Sequence, residues 1–368
     1  SALPATVSAE GAQVNVPLFP ATASAEGRQF NGAPFPATVS AEGRLIKGGP
    51  SLFALDSRCR LHDICQHYTG SSAERGHSMF EGFEQRQITT SGTTINLVKG
   101  GRGPGLLLLH GYPQTHAMWH KIAPRLAQDF TVVAADLRGY GDSGKPHGDP
   151  EHLTYSKRAM AQDQVEVMQQ LGFETFNVVG HDRGARVSHR LTLDHPQRVQ
   201  RLALLDIIPT HKMFRIVNKE MATSTYHWFF LIQPYDLPER LIGAVPERFL
   251  QNSFGRTPEA HAPEALAEYI RCFNAATIHA TCEDYRAGAS IDLVYDEADL
   301  SAGKKVTCPL LVLWSAKGYV GHTQDVLQIW RDYATDVRGQ SLPGGHFLAE
   351  EMPDETYTIV RSFLLGKG

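Results

Sequence analysis

Cysteine is scarce in this 368-residue chain, which has five: Cys59, Cys65, Cys272, Cys282 and Cys308. So sparse and odd a count builds no disulfide framework and points to a reducing compartment, the cytoplasm. Long apolar runs are missing as well. Stretches such as Leu106–Leu109 and Phe229–Ile232 fall far short of the roughly 20 residues a bilayer-spanning helix needs. There is no surplus of positive charge: 35 Lys and Arg against 39 Asp and Glu give a formal net charge of -4. That balance offers no electrostatic footprint for nucleic acid or an anionic membrane. Metal-ligand spacing is also lacking. Cys59, His62, Cys65 and His67 match no common zinc pattern, and His116 and His120 have neither a Glu nor a third ligand beside them.

What remains is ample for a core. Hydrophobic residues make up 42% and charged residues 20%, and the length allows about two domains or one large fold with an insertion. The N-terminus carries a repeat: Pro4–Gly11 recurs as Pro20–Gly27, with Ala23 in place of Val, and as Pro36–Gly43. Rich in Ala, Gly, Pro and Ser, it has little to bury, so residues 1–78 read as a disordered extension without bearing on function.

From Phe80 onward, short β-branched or Leu-rich runs alternate with amphipathic stretches. Strands are expected at Gln85–Thr90, Thr94–Lys99, Leu106–His110, Thr131–Asp136, Thr175–Gly180, Arg201–Asp206, Leu310–Trp314 and Gly339–Leu342. Helices are expected at Met118–Ala127, Lys157–Leu171, Ala185–Asp194, Val326–Ala334 and Glu355–Leu364. Continuous apolar strands alternating with helices imply a mostly parallel eight-stranded sheet covered on both faces, with a hairpin at one edge. Between Thr210 and about Leu300 the alternation gives way to aromatic, Pro-broken helical segments. The expected organisation is an α/β core, 79–209 and 301–368, with a helical cap at 210–300 inserted after the sixth strand.

Gly180-His-Asp-Arg-Gly184 stands between a strand and a helix, the context of a nucleophile elbow. Its central residue is Asp182, and no G-x-S-x-G occurs in the chain. A carboxylate there attacks carbon and forms an alkyl ester rather than an acyl-enzyme. Helix capping is the competing role for such an Asp. His110-Gly-Tyr112 follows the third strand, so the backbone N–H groups of Tyr112 and Arg183 are the candidate oxyanion hole. His346, in Gly344-Gly-His-Phe347 after the last strand, is the candidate general base. The acid that orients it is sought first after the seventh strand, but Ser315–Tyr319 holds no carboxylate; Asp206, after the sixth, is chosen instead. Gly139-Tyr-Gly-Asp-Ser-Gly144 matches a dinucleotide fingerprint but runs into Lys145-Pro-His-Gly-Asp-Pro150, where no helix starts. It is a turn.

Arg183 and Arg186 lie one turn apart at the start of the nucleophile helix, where both can face the pocket mouth. Two negative charges about 4 Å apart repel by about 4 kcal/mol at an effective dielectric of 20. A carboxylate substrate approaching Asp182 therefore needs cations, and arginine's planar fork suits it. A structural partner, Asp136 or Asp206, is the alternative use for one of the two.

These residues resemble the haloacetate dehalogenases, fluoroacetate dehalogenases above all, within the α/β-hydrolase superfamily. The resemblance rests on His110–Gln114, Asp136–Ser143, Gly180–Arg186, Leu204–Thr210, Tyr226-His-Trp228, Cys282–Gly288 and Gly345–Leu348. It covers about Phe80 to Leu365 and leaves out the repeat. It implies that Asp182 displaces halide from the α-carbon, that His346 and Asp206 activate the water that hydrolyses the ester, and that Arg183 and Arg186 hold the substrate carboxylate. It implies further that His227, Trp228 and Tyr285 receive the halide, with no cofactor or metal. The expected partner is a small anionic substrate; pairing with a second copy as a homodimer is left open. An epoxide hydrolase, with Tyr226 and Tyr285 polarising the epoxide oxygen, is the alternative, though it gives the arginine pair no purpose. A non-catalytic relative that binds a small acid ranks third, because Asp182, Asp206 and His346 are all present.

Overall fold

The structure, a computed structural model, describes residues 79–254 and 260–367. The N-terminal repeat and the Cys59–His67 group lie outside the described residues.

Eight strands form one sheet: β1 (Glu84–Thr89), β2 (Thr94–Gly100), β3 (Gly105–Leu109), β4 (Thr131–Ala135), β5 (Phe176–His181), β6 (Val199–Leu205), β7 (Leu310–Ser315) and β8 (Val337–Leu342), in the order β1-β2-β4-β3-β5-β6-β7-β8. The β1–β2 and β2–β4 pairings are antiparallel and the rest parallel. Every residue of β3, β4 and β5 is buried, which is why these strands read as unbroken apolar runs in the sequence. Each fully buried Leu of β3 contributes about 1.5–3 kcal/mol by leaving water. The edges are polar instead: β1 is Glu-Gln-Arg-Gln-Ile-Thr, mostly exposed, and charge on an edge strand blunts pairing with other chains.

The order reverses between β3 and β5, and Leu109 pairs with Gly180 across that switch. In an open α/β sheet the crevice at the carboxyl ends of such strands is where a site is built. The loops after β3, β5, β6 and β8 all emerge there. Helices from Thr210–Arg215 to Ile291–Ser301 occupy the connection from β6 to β7. No helix among the described residues is long and apolar enough to cross a membrane.

The helix expected at Met118–Ala127 is instead two short pieces, a 3-10 turn His116–Trp119 and a helix Ala123–Leu126. Pro124 is the cause: it lacks an N–H and fits only in a first turn, so the second piece starts around it. The Gly139–Gly144 turn is closed by Gly139 N–H donating to Gly144 O at 3.0 Å, and a Cβ on Gly141 would meet the Asp136 carboxylate at 2.2 Å.

Candidate active site

The elbow is built by steric exclusion. A Cβ on Gly180 would lie 2.4 Å from Ser188 Oγ, and one on Gly184 would lie 2.4 Å from the carbonyl oxygens of Leu109 and His110. Only glycine lets the helix Asp182–Asp194 start so close to β3 and β5. Gly184→Ala overpacks this junction and is expected to destabilise the protein by about 1–3 kcal/mol, read as a lower urea midpoint at unchanged slope; an unmoved midpoint would contradict the steric account.

Asp182 has φ +43° and Asp206 φ +54°; the third non-glycine residue with positive φ among the described residues is His152. Each such left-handed residue costs on the order of 1–3 kcal/mol and persists where the surroundings hold it, commonly at functional sites. Asp182 does not cap its own helix. Its Oδ2 accepts the Tyr112 N–H at 3.1 Å, and Gly184 N–H donates to His110 O at 2.8 Å, tying the two loops together. Of the two anticipated oxyanion donors, Tyr112 N–H is engaged with Asp182, while the Arg183 N–H makes no such bond. His110 is structural: Nδ1–H donates to Gly111 O, and Nε2 accepts Leu137 N–H.

Burial would raise the Asp182 carboxyl, but the positive charge of His346 and Arg186 prevails and holds it down at about 2. It is ionised at neutral pH. His346 Nδ1–H donates to Asp206 Oδ2 at 2.6 Å, which leaves Nε2 as the free basic nitrogen. Asp206 Oδ1 accepts Ser315 N–H at 2.7 Å, so the seventh-strand position contributes a backbone donor in place of a carboxylate. Burial would lower the His346 pKa, but the hydrogen bond and charge of Asp206, with Asp182 adding to them, raise it above the usual imidazole value.

If His346 acts as a base it must be neutral, so the step it would serve rises with pH as it loses its proton. Asp206→Asn removes the largest raising influence. The acid limb of single-turnover ester hydrolysis is then expected to move to lower pH, and its plateau to fall by about 10³ to 10⁴. A limb that stays in place would separate Asp206 from the base.

Sequence reasoning missed two supports of the His346 loop. Glu351 accepts Gly345 N–H at 2.6 Å and Phe347 N–H at 3.0 Å, on either side of the histidine. His181 Nε2–H donates to His346 O at 2.9 Å, and burial, then the charge of His346, lowers its pKa to about 4, keeping it neutral. The one sequence signal for this role is the position of His181 beside Asp182 in the elbow motif.

The arginines differ. Arg183 is 1% exposed and pairs with neither Asp136 nor Asp206; its partner is Asp284, on the helix Ala275–Gly288. Arg186 makes no ion pair. Its Nη1 donates to Ile208 O at 3.1 Å and Thr210 Oγ1 at 3.0 Å, while Nε is buried without a partner. Burial lowers its pKa to about 10 against the pull of Asp182, so it stays charged at pH 7. Its guanidinium lies 4.6 Å from the Trp228 ring centroid.

His227, Trp228 and Tyr285 come together above the elbow. The Tyr285 ring packs edge-on against His227 at 5.9 Å, Trp228 at 6.0 Å and Tyr112 at 5.4 Å. Burial, helped by the Asp182 charge, pushes the Tyr285 phenol well up, so it remains a donor, and that O–H is buried without a partner. Burial lowers His227 to about 4 and keeps it neutral. Tyr226, by contrast, is 50% exposed. No group of three or more His, Cys, Asp or Glu among the described residues is arranged to hold a metal ion; His116 binds Asp136 Oδ1 at 2.9 Å instead.

Residues 104–353 match the family model of the α/β-hydrolase fold. The chain is 49% identical to the fluoroacetate dehalogenase of Burkholderia sp over 291 residues, 78% of this chain and 95% of that one. The chain belongs to the α/β-hydrolase family, in its haloacetate dehalogenase group. This α/β hydrolase is also 32% identical over 275 residues to a soluble epoxide hydrolase of Corynebacterium sp. (strain C12), covering 73% of this chain and 92% of that one. Among solved structures, a protein of Nostoc sp PCC 7120 described as an α/β hydrolase is 64% identical, with a TM-score of 0.75 over 77% of this chain and 98% of its own.

Proposed function

We propose that this α/β hydrolase removes halide from short 2-haloacids, haloacetate and fluoroacetate in the first place, giving glycolate and halide through an ester on Asp182. The observation that carries this reading is Arg186: a buried guanidinium with no carboxylate partner, set beside an ionised nucleophile. Unpaired buried charge is costly, and a substrate carboxylate supplies the missing partner. A neutral epoxide or haloalkane does not.

The hydrogen bonds support the following steps. Asp182 Oδ2 is held by Tyr112 N–H, which leaves Oδ1 to attack the α-carbon opposite the halide. The C–O bond forms as the carbon–halogen bond breaks, and the halide leaves with the bonding pair toward His227, Trp228 and Tyr285. Fluoride is a poor leaving group, so several converging donors are what its departure requires. The ester carbonyl is then Oδ2, over the Tyr112 N–H. His346 Nε2 takes a proton from water, hydroxide adds to the Asp182 carbonyl carbon, and the intermediate collapses to the Asp182 carboxylic acid, which then loses its proton to solvent, and the alkoxide of glycolate. Glycolate departs with the proton from His346, and no cofactor or metal enters. Esterification removes the Asp182 charge that helps keep His346 protonated, so the base is released when it is needed.

In this reading residues 210–300 act as a cap that keeps water from the alkylation step. The enzyme works in the cytoplasm, in keeping with free thiols at Cys272, Cys282 and Cys308. The free Tyr285 O–H also suits epoxide opening, but the exposure of Tyr226 leaves that reaction without its second lid tyrosine. Halide release from fluoroacetate and chloroacetate, followed with ion-selective electrodes beside styrene oxide hydrolysis, tests the proposal. Fluoride release supports the full halide site, and chloride release alone supports the reaction but not those donor roles. Diol without halide overturns it.

A further inference from the structure

Arg183 and Arg186 look equivalent in the sequence, yet their charges are treated differently. The Arg183 fork is taken up from behind. Its Nε donates to Asp284 Oδ2 at 2.8 Å, and its Nη2 donates to Asp284 Oδ1 at 2.8 Å and to the Asp284 carbonyl at 2.7 Å. Tyr140 O–H adds a 2.6 Å hydrogen bond to Oδ2, and Lys157 Nζ pairs with Oδ1 while lying 3.4 Å from Asp292. Burial opposes ionisation of Asp284, but Arg183 and Lys157 outweigh it and hold the carboxyl well below the usual range. Arg183 is thus neutralised inside the protein, with Nη1 left to donate. The other buried arginines, Arg138, Arg190 and Arg286, also have carboxylate partners. Arg186 stands apart from all of them.

We propose that Asp284 is a positioning residue: it fixes Arg183 as a charge-balanced, directional donor and leaves Arg186 to supply the charge that selects an anionic substrate. The proposal rests on the haloacid reading and adds a division of labour within the arginine pair. The same contact sets a distance in the halide site. Asp284 precedes Tyr285 on one helix, and the Arg183 guanidinium lies 4.1 Å from the Tyr285 ring centroid, so one ion pair aligns the carboxylate clamp and the halide donor together. A bidentate fork is well suited to this because it fixes direction as well as distance.

A double-mutant cycle with Asp284→Asn and Arg183→Gln tests the positioning role, with KM and kcat measured on chloroacetate. Asp284→Asn is expected to raise KM about tenfold, with a smaller change in kcat, and to add less than about twofold when Arg183 is already replaced. Losses that multiply in the double variant would make Asp284 a fold residue and overturn the proposal. Should Asp284→Asn not fold, Tyr140→Phe removes one hydrogen bond to the same carboxylate. It is expected to raise KM by about two- to fivefold, and an unchanged KM overturns the proposal.

Calorimetric binding of acetate and acetamide, equal in shape and different in charge, tests the division of labour. The preference for acetate should survive Asp284→Asn or Tyr140→Phe and vanish in Arg186→Gln. Its loss in all of them would overturn the charge assignment. Wild-type halide release decides the haloacid reading separately, because these binding constants need no turnover.

Discussion

Asp182→Ala is expected to reduce halide release from chloroacetate by about 10⁴ to 10⁶, the scale on which enzymes lose activity when the nucleophile is removed. The hydrogen bond from Tyr112 N–H, the low pKa and the left-handed backbone all concern one carboxylate, held with one oxygen bound and the other free. The arginines are protonated and cannot form a bond to carbon, and His346, paired with Asp206, is assigned to the hydrolytic step. Alanine in the left-handed region adds about 1–2 kcal/mol of strain, so Asp182→Asn is the better control for the fold. Asparagine tolerates that conformation and keeps an acceptor for the Tyr112 N–H. It should retain the melting temperature of the parent while losing turnover; substantial turnover in either variant would remove Asp182 from the chemistry.

The second large effect is expected at Arg186. Arg186→Leu takes away the buried cation without a carboxylate partner, leaving the substrate's charge to face Asp182 directly. Repulsion of about 4 kcal/mol at 4 Å and an effective dielectric of 20 corresponds to a loss of about a thousandfold in kcat/KM for a haloacid. A neutral haloalkane has no such charge, and its turnover, however slow, should fall by less than about tenfold. The ratio of the two losses is the informative quantity, since misfolding lowers both. Equal losses would show that Arg186 serves packing against Trp228 rather than recognition of a carboxylate.

Much of this arrangement is legible in the sequence, for identifiable reasons. β3, β4 and β5 are buried along their whole length, so burial alone dictates apolar runs there. At the sheet's far edge that pressure fades: β8 begins at Val337 rather than at Gly339, and Arg338 and Gln340, among its exposed or half-buried residues, carry no pattern. The elbow is legible because two close backbone approaches admit only glycine, at Gly180 and Gly184. Asp206 and His346 could be placed by chain order, and they meet at 2.6 Å.

What escaped notice depends on contacts between segments far apart in the chain. Asp284 follows Arg183 by 101 residues, on another helix, and periodicity says nothing about which distant acid meets a given guanidinium. Glu351 carries no signal in the sequence of its bonds to the His346 loop, to Gly345 and Phe347 N–H. The helix expected at Met118–Ala127 is broken for a local reason, Pro124, which starts the second short helix.

Isotopic labelling tests the central claim most directly. Excess enzyme is allowed a single turnover of chloroacetate in water enriched in oxygen-18, and both the glycolate and the peptide containing Asp182 are weighed by mass spectrometry. If Asp182 attacks carbon and water attacks the resulting ester, the heavy oxygen enters the Asp182 carboxylate and the first glycolate leaves unlabelled. Labelled glycolate with an unlabelled peptide would mean that water attacks the substrate directly, and the nucleophilic role of Asp182 would be wrong.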